Sequence, residues 1–386
     1  MRVLLVHASY RYRGGEDVAF ESEAALLEAS GHSVRTLRFD NADLPSNPLA
    51  AAVRTVRNPE AAARVGQAAG EFEAEVVHFH NTFPLVSPAA YGAAKRTGAA
   101  VVQTLHNYRL ACVNALLFRS GRVCTDCVGR SPWPGAWRRC YRGSLGASST
   151  VALMLAYHRR TGTWRRDVDL YLAVSGFVRS VVVAARLPED RVRVKPNFLS
   201  PDPGLGAPQR HGVAFVGRLS EEKGILTVLK AWARHSELPP LFVAGDGPCR
   251  DAVEKAAAAG RVGFLGAMSR EAALRLVGEC EVSLQPSLCP DAMPMTLVEA
   301  YAKGTPVVAS NVESLASLVR SGLTGEVFSA GDPDQLAEAV VRVTRRGDWL
   351  ALSRAARAEY ERLYSAESAK RNLEEAYQWA ILHRQP

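Results

Sequence analysis

Short β-branched runs alternate with amphipathic stretches along the whole chain, and a proline- and glycine-rich segment interrupts the pattern once, near the middle. Val3–Val6, Val34–Phe39, Glu75–Phe79, Ala100–Thr104 and Leu170–Val174 read as strands. Helical material lies between them, such as Glu16–Ala29, closed by Gly31. Asn197–Gly212 (NFLSPDPGLGAPQRHG) reads as a linker. The alternation then restarts with Val213–Val216, Pro240–Ala244, Val262–Leu265, Glu281–Gln285 and Pro306–Ser310. Strands separated by helices must run parallel with crossover connections. The pattern predicts two tandem α/β domains, over 1–196 and 213–366, joined by 197–212. The length, 386 residues, suits two domains better than one. Helical periodicity over 367–386 puts Leu373, Ala376, Tyr377, Ala380 and Ile381 on one face. That stripe packs either on the second domain or back on the first.

The composition, 47% hydrophobic and 22% charged, is that of a globular protein. No apolar run has the length of a membrane span, and MRVLLVHAS reads as a first strand, not a signal peptide. A cytoplasmic location is the expectation. The net charge of +8 fits an anionic substrate, an anionic membrane surface, or simply a base composition rich in arginine codons. No zinc-finger, RRM-type or long basic signature points to nucleic acid.

Four loops of the second half fall at carboxyl ends of successive strands, where open α/β sheets bind ligands. In VAFVGRLSEEKG, Gly217 ends a strand and Arg218 and Lys223 follow; two cations there can hold a diphosphate, or can be solvated surface charges. VAGDGP carries Gly245 after the next strand, and Gly266 to Met268 end the third. The fourth, PSLCPDAMPMTLVEAYAKG, places Asp291 just outside a short helix and Glu299 a turn inside it. Free backbone amides at the helix start, near Met295 and Thr296, suit an anion. The joint arrangement suits an activated sugar: diphosphate on the helix end, ribose on Glu299, sugar hydroxyls on Asp291.

These ordered motifs resemble the retaining glycosyltransferases of family 4, with the GT-B fold. The resemblance covers nearly the whole chain. It implies two Rossmann-like domains facing across a cleft, with the C-terminal helix returning to the first. It also implies that the donor, a nucleoside diphosphate sugar with uridine the commonest base, sits on the second domain. Arg218 and Lys223 match the pair that holds the diphosphate, Glu299 the ribose carboxylate, Asp291 the acid on the donor sugar, and Met293 to Thr296 the amides beside the distal phosphate. The family has glutamate where this chain has Asp291, one methylene shorter. In the first half the resemblance places Gly14, Gly15 and Glu16 beside the diphosphate and acceptor, and His106, in TLHNYR, under the donor sugar. No G-x-G-x-x-G stands at the first turn, against a dehydrogenase. His80, at a strand end, and Ser175, also a helix N-cap candidate, are acceptor-side candidates, whereas His78 reads as core. No catalytic metal is implied. The acceptor is a small molecule, a saccharide or a lipid-linked saccharide. Trp164 among basic residues (His158–Tyr171) marks either a peripheral membrane contact or a solvated helix face. Rival readings are another nucleotide-sugar reaction such as epimerisation, and a non-catalytic nucleotide-sugar-binding subunit.

Cys112, Cys124, Cys127 and Cys140, four of the seven cysteines, lie within one 29-residue stretch. One Cys-x-x-Cys with two flanking thiols can form a structural zinc site or remain four thiols or a disulfide. A bacterial subset of the family shares this insert, together with RGGED (Arg13–Asp17) and HNTFP (His80–Pro84).

Overall fold

The computed structural model describes residues 1–9 and 14–384. Arg13, of the RGGED string, lies outside the described residues. The chain divides into two compact units. The first comprises Met1–Leu117, Cys124–Asn197 and the segment from Ala369 on; the second comprises Phe118–Val123 and Phe198–Ser368.

The first unit holds a six-stranded sheet of β1 (Arg2–Ser9), β2 (Ser33–Asp40), β3 (Val76–Asn81), β4 (Ala100–Leu105), β7 (Leu170–Ala173) and β8 (Val192–Val194). Its order is β2-β1-β3-β4-β7-β8, and every pairing is parallel. In sequence between β4 and β7, a two-stranded hairpin, β5 (Phe118–Arg119) and β6 (Arg122–Val123), interrupts the cysteine-bearing stretch and is assigned to the second unit. Strand β8 escapes the sequence pattern because it is a three-residue edge strand, Val-Arg-Val, with one buried side chain.

The second unit holds β9 (Val213–Val216), β10 (Leu241–Ala244), β11 (Val262–Gly266), β12 (Val282–Gln285), β13 (Val307–Ser310) and β14 (Gly325–Phe328). Their order, β11-β10-β9-β12-β13-β14, is the doubly wound arrangement whose direction of winding reverses between β9 and β12. Strand β14 escapes the pattern too, because a glycine opens its four residues and only two are fully buried.

The C-terminal helix, Ala366–Leu382, packs its apolar stripe on the first unit. Leu373, Ala376, Tyr377 and Ala380 join Val3, Leu5, Phe20, Val76, Val102 and Leu172 in one buried cluster. Polar contacts fix its register there: the Tyr377 hydroxyl lies 2.8 Å from His78 Nδ1, and Arg384 donates to the Gly98 carbonyl. Of residues 197–212, read as a linker, those from Leu199 on are hydrogen-bonded along the second unit and do not hang as a free tether. Leu199 N–H donates to the Tyr364 carbonyl, Gly206 to Lys303 and His211 to Glu279. Among the described residues, no helix is long and apolar enough to cross a membrane.

Candidate active site

In the second unit the strand-end loops are tied together by backbone. Gly217 N–H donates to the Ala244 carbonyl at 3.0 Å, and Gly245 N–H to the Gly266 carbonyl at 2.7 Å. A Cβ on Gly245, whose φ is 144°, would sit 1.8 Å from the Gly217 carbonyl oxygen, so only glycine lets these loops close up. Gly224 (φ 78°) has the same role one loop along. A Cβ there would meet the Pro286 carbonyl at 1.9 Å. Leu288 N–H donates to Glu222, zipping the loop after β9 to the loop after β12. These are the two loops of the switch point, and their junction brings Lys223 to Asp291.

The Lys223 ammonium hydrogen-bonds the Asp291 carboxylate, and both remain partly open to solvent. Burial works against the Lys223 charge, but Asp291 outweighs it and holds the pKa above the ordinary lysine value. An ammonium has three donors, so one bond to Asp291 leaves others for a phosphate. Arg218 is exposed in the same loop, and its side chain has no hydrogen-bond or ion-pair partner among the described residues.

The Met295–Ala302 helix starts after Pro294 with no side-chain cap. Leu297 N–H donates to the Pro294 carbonyl at 3.2 Å, and the amides of Met295 and Thr296 have no acceptor among the described residues. Thr296 is oriented by Gln285, whose amide donates to the Thr296 hydroxyl at 2.8 Å. Met293 is buried, and Met268 is exposed at the end of β11. One turn into the helix, Glu299 lies 3.2 Å from Arg270 Nε. Burial raises the Glu299 pKa above the usual carboxylate value, and Arg270 only partly offsets this. Sequence reasoning missed Arg270. Its signal is faint: Ser269 caps the helix that follows β11, which puts Arg270 in the first turn.

The ribose role that the resemblance implies for Glu299 calls for an ionised carboxylate. Because the Glu299 pKa is raised, affinity for a nucleoside diphosphate is expected to begin falling on acidification at a higher pH than an ordinary glutamate would dictate. Calorimetric titrations of UDP from roughly pH 5 to roughly pH 8, upward from the ordinary carboxylate range, check this. Glu299→Gln should bind weakly at all these pH values and lose the dependence.

The first unit presents a second set of side chains at carboxyl ends of strands. Gly14 caps the Gly15–Ala29 helix, with its N–H donating to Asp17 Oδ2 at 2.8 Å; the other Asp17 oxygen holds His7 Nε2 at 2.9 Å. Burial, chiefly, lowers the His7 pKa. Glu16 accepts from the Asn107 side chain at 2.7 Å, which joins the loops after β1 and β4. His106, half-buried, places Nε2 3.1 Å from His80 Nδ1. Burial first, and then the neighbouring His80, push the His106 pKa well below the ordinary histidine value.

Two sequence readings are corrected here, and a third is narrowed. The His80 side chain is 0% exposed, because β3 continues to Asn81 beneath the Gly15–Ala29 helix, so it can act only through His106 and not by touching an acceptor. Trp164 is 4% exposed and packs against His158, with ring centroids 5.7 Å apart, so its ring cannot serve as a membrane contact. Ser175 is buried and its hydroxyl accepts from Val178 N–H at 3.2 Å, which is the N-cap that the sequence offered beside an acceptor-side role.

Among the described residues, the four clustered cysteines form no disulfide. Burial, and then Cys112, Cys140 and Cys124 around it, push the Cys127 thiol up to about 11. Four neighbouring sulfurs have the donor chemistry of zinc. Their side chains are not drawn into a closed cage, however: Cys112 Sγ donates to Asn114 at 3.0 Å. Among the described residues, the one group whose potential ligand atoms lie within 4.8 Å of one another is Glu23, His78 and His80.

Two Rossmann-like parallel sheets in tandem, with a C-terminal helix on the first, are the GT-B architecture. The Anabaena protein Alr3699/HepE, solved in complex with UDP-glucose, superposes with a TM-score of 0.69 over 98% of this chain and 99% of its own, at 17% identity. A glycosyltransferase from Rickettsia africae superposes with a TM-score of 0.71 over the full length of both, at 14% identity. The profile described as Glycosyltransferase Family 4 matches residues 14–202, and that described as Glycosyl transferases group 1 matches residues 210–346. The chain belongs to the family 4 glycosyltransferases. A phosphatidyl-myo-inositol mannosyltransferase of Mycobacterium leprae is 30% identical over 47% of this chain and 51% of its own. The amylovoran biosynthesis glycosyltransferase AmsK of Erwinia amylovora is 26% identical over 54% of this chain and 55% of its own. The chain thus matches about half the length of these relatives.

Proposed function

We propose that this protein is a retaining glycosyltransferase, working in the cytoplasm. It would transfer a hexosyl group from a nucleoside diphosphate sugar, with UDP the carrier, to a hydroxyl of a saccharide, lipid-linked or secondary-metabolite acceptor. The observation that carries the reading is the pair of carboxylates, Asp291 and Glu299, each held by its own cation around an uncapped helix start at the switch point. In this reading Glu299 takes the ribose and Asp291 the sugar hydroxyls. Lys223, Arg218 and the amides at Met295 and Thr296 meet the diphosphate, with Gly217, Gly245, Gly266 and Met268 framing the nucleotide. For the first unit the reading assigns Gly14 and Gly15 to the diphosphate, Glu16 to the acceptor and His106 to a hydroxyl of the donor sugar.

The anomeric C–O bond to the β-phosphate breaks and a bond from the acceptor oxygen forms on the same face. The acceptor proton passes to the departing phosphate oxygen. Negative charge grows on the diphosphate, where the two cations and the helix amides act without a divalent metal. UDP complexes of the Anabaena relative support the choice of nucleotide.

The test is a screen of UDP-sugars with product analysis by NMR. Transfer with the donor's anomeric configuration kept is the expected result. An inverted product overturns the retaining assignment. UDP binding without transfer or donor hydrolysis makes the chain a binding subunit, and an altered sugar without acceptor makes it an epimerase-like enzyme.

The same reading includes a structural zinc on Cys112, Cys124, Cys127 and Cys140. One zinc per chain is expected in protein purified without chelators, falling to none in Cys127→Ser. Metal analysis beside thiol titration checks it, since four readily titrating thiols in the intact protein contradict the site.

A further inference from the structure

Beneath His106 lies a row of buried groups that the transfer reaction, as proposed above, does not use. Lys195 and Glu23, both 1% exposed, form a direct ion pair although 172 residues separate them in sequence. Burial would raise the Glu23 pKa, but Lys195, followed by His80 and His78, outweighs it and keeps the carboxyl well below its usual range. The second Glu23 oxygen, Oε2, lies 3.4 Å from His80 Nε2. Among the described residues, both atoms are buried with no hydrogen-bond partner, and this contact leaves each as the group available to the other. His80 Nδ1 in turn meets His106 Nε2 at 3.1 Å, with the two rings near parallel. His78, alongside, is occupied on both nitrogens, by the Tyr377 hydroxyl at 2.8 Å and the Thr104 hydroxyl at 2.7 Å.

Proton positions along this row follow from one constraint. A carboxylate accepts and cannot donate. His80 Nε2 must therefore carry the proton that faces Glu23. Lys195 already balances the Glu23 charge, so a further cation on His80 has no counter-ion, and Nδ1 is left as a lone pair. His106 Nε2 must then donate to it. A neutral imidazole has one N–H, so His106 Nδ1 is an acceptor, and it has no partner among the described residues. The same three ligand atoms could suggest a metal at Glu23, His78 and His80. A dication there would face the Lys195 ammonium with one carboxylate between two positive groups, in a site with no opening to solvent.

We infer that Lys195 and Glu23 act as positioning residues which, through His80, lock His106 in the Nε2–H tautomer, so that its Nδ1 accepts a hydrogen bond from a hydroxyl of the bound saccharide. The locked ring offers an acceptor without rotating or exchanging protons. It selects a sugar with a donating hydroxyl at that point over a deoxy or fluoro analogue, which cannot donate. The inference rests on the proposed glycosyltransferase reading only for the identity of the ligand.

The test is nitrogen-15 NMR of the full-length protein labelled at histidine, without ligand. His106 should show a protonated Nε2 and an unprotonated Nδ1. The opposite tautomer, a charged ring or an exchanging mixture overturns the inference. In Glu23→Gln the amide is expected to give its carbonyl to Lys195 and its NH₂ to His80. Both rings should then switch, leaving His106 protonated at Nδ1; an unchanged His106 contradicts the relay. Glu23→Asp keeps the carboxylate and should restore the original tautomer. Turnover in Glu23→Gln should fall about 10- to 10²-fold, the size typical of lost carboxylate support behind a histidine, with UDP affinity unchanged. Should that variant not fold, the tautomer of the unaltered protein decides alone. The arms separate the two readings: a locked tautomer without any transfer refutes the glycosyltransferase, and transfer with an unlocked His106 refutes the relay.

Discussion

Replacing Lys223 with alanine is expected to lower kcat by about 10²–10³-fold, the usual cost of removing one group that meets developing charge in the transition state. Two effects combine. The diphosphate loses a cation beside the breaking bond. Asp291, which hydrogen-bonds Lys223, also loses the group that orients its carboxylate. The two effects separate in Asp291→Asn, which keeps the lysine. Burial lowers the Lys223 pKa, and Asp291 is what reverses the direction. Once the carboxylate is exchanged for an amide, the ammonium should therefore lose its proton at a lower pH than in the unaltered protein. Activity of that variant should decline on the alkaline side earlier, whereas Lys223→Ala should show no such limb. Lys223→Arg keeps the charge but exchanges a compact ammonium for a planar fork, and should recover only part of the rate. Steady-state kinetics from about pH 6 to about pH 10, spanning the ordinary histidine and lysine values, checks all three. Turnover of Lys223→Ala within about tenfold of the original would remove Lys223 from the role that charge stabilisation demands.

The pieces of this site differ in how far a sequence betrays them. Glycines such as Gly217 and Gly245 are visible because strand ends followed by glycine are a local pattern, and Asp291 and Glu299 because they stand eight positions apart. The strands that carry these loops are legible for the same reason: β9, β10, β12 and β13 are short runs buried almost throughout, and burial of a parallel strand on both faces leaves a continuous apolar signature. Strands β8 and β14, at sheet edges, have no such signature. Partners fixed by tertiary folding are invisible to local pattern. Arg270 reaches Glu299 across 29 residues, and Tyr377 reaches His78 across 299. His80 can be seen to end a strand, but the helix that covers it cannot be placed over it from sequence, so its burial is not legible.

The charged pair beneath that helix carries the largest stability effect expected in the chain. Lys195→Met leaves Glu23 buried at 1% exposure with no cation, and stranding one member of a buried pair typically costs about 3–5 kcal/mol. The cost arises less from the lost attraction than from a carboxylate left away from water with no counter-ion. Removing both charges, in Glu23→Gln with Lys195→Met, should recover most of the loss, because a neutral pair has no such desolvation penalty. Acidity gives the same sign. The Glu23 pKa is lowered on folding, so its contribution is complete above the unfolded value of 4.5 and is lost only as the pH falls through the lower folded value. Urea denaturation read by hydrogen exchange in β1 and β3 follows the first unit alone. Full loss in both the single and the double variant would mean that the two side chains stabilise by packing, and that the ion pair contributes nothing of its own.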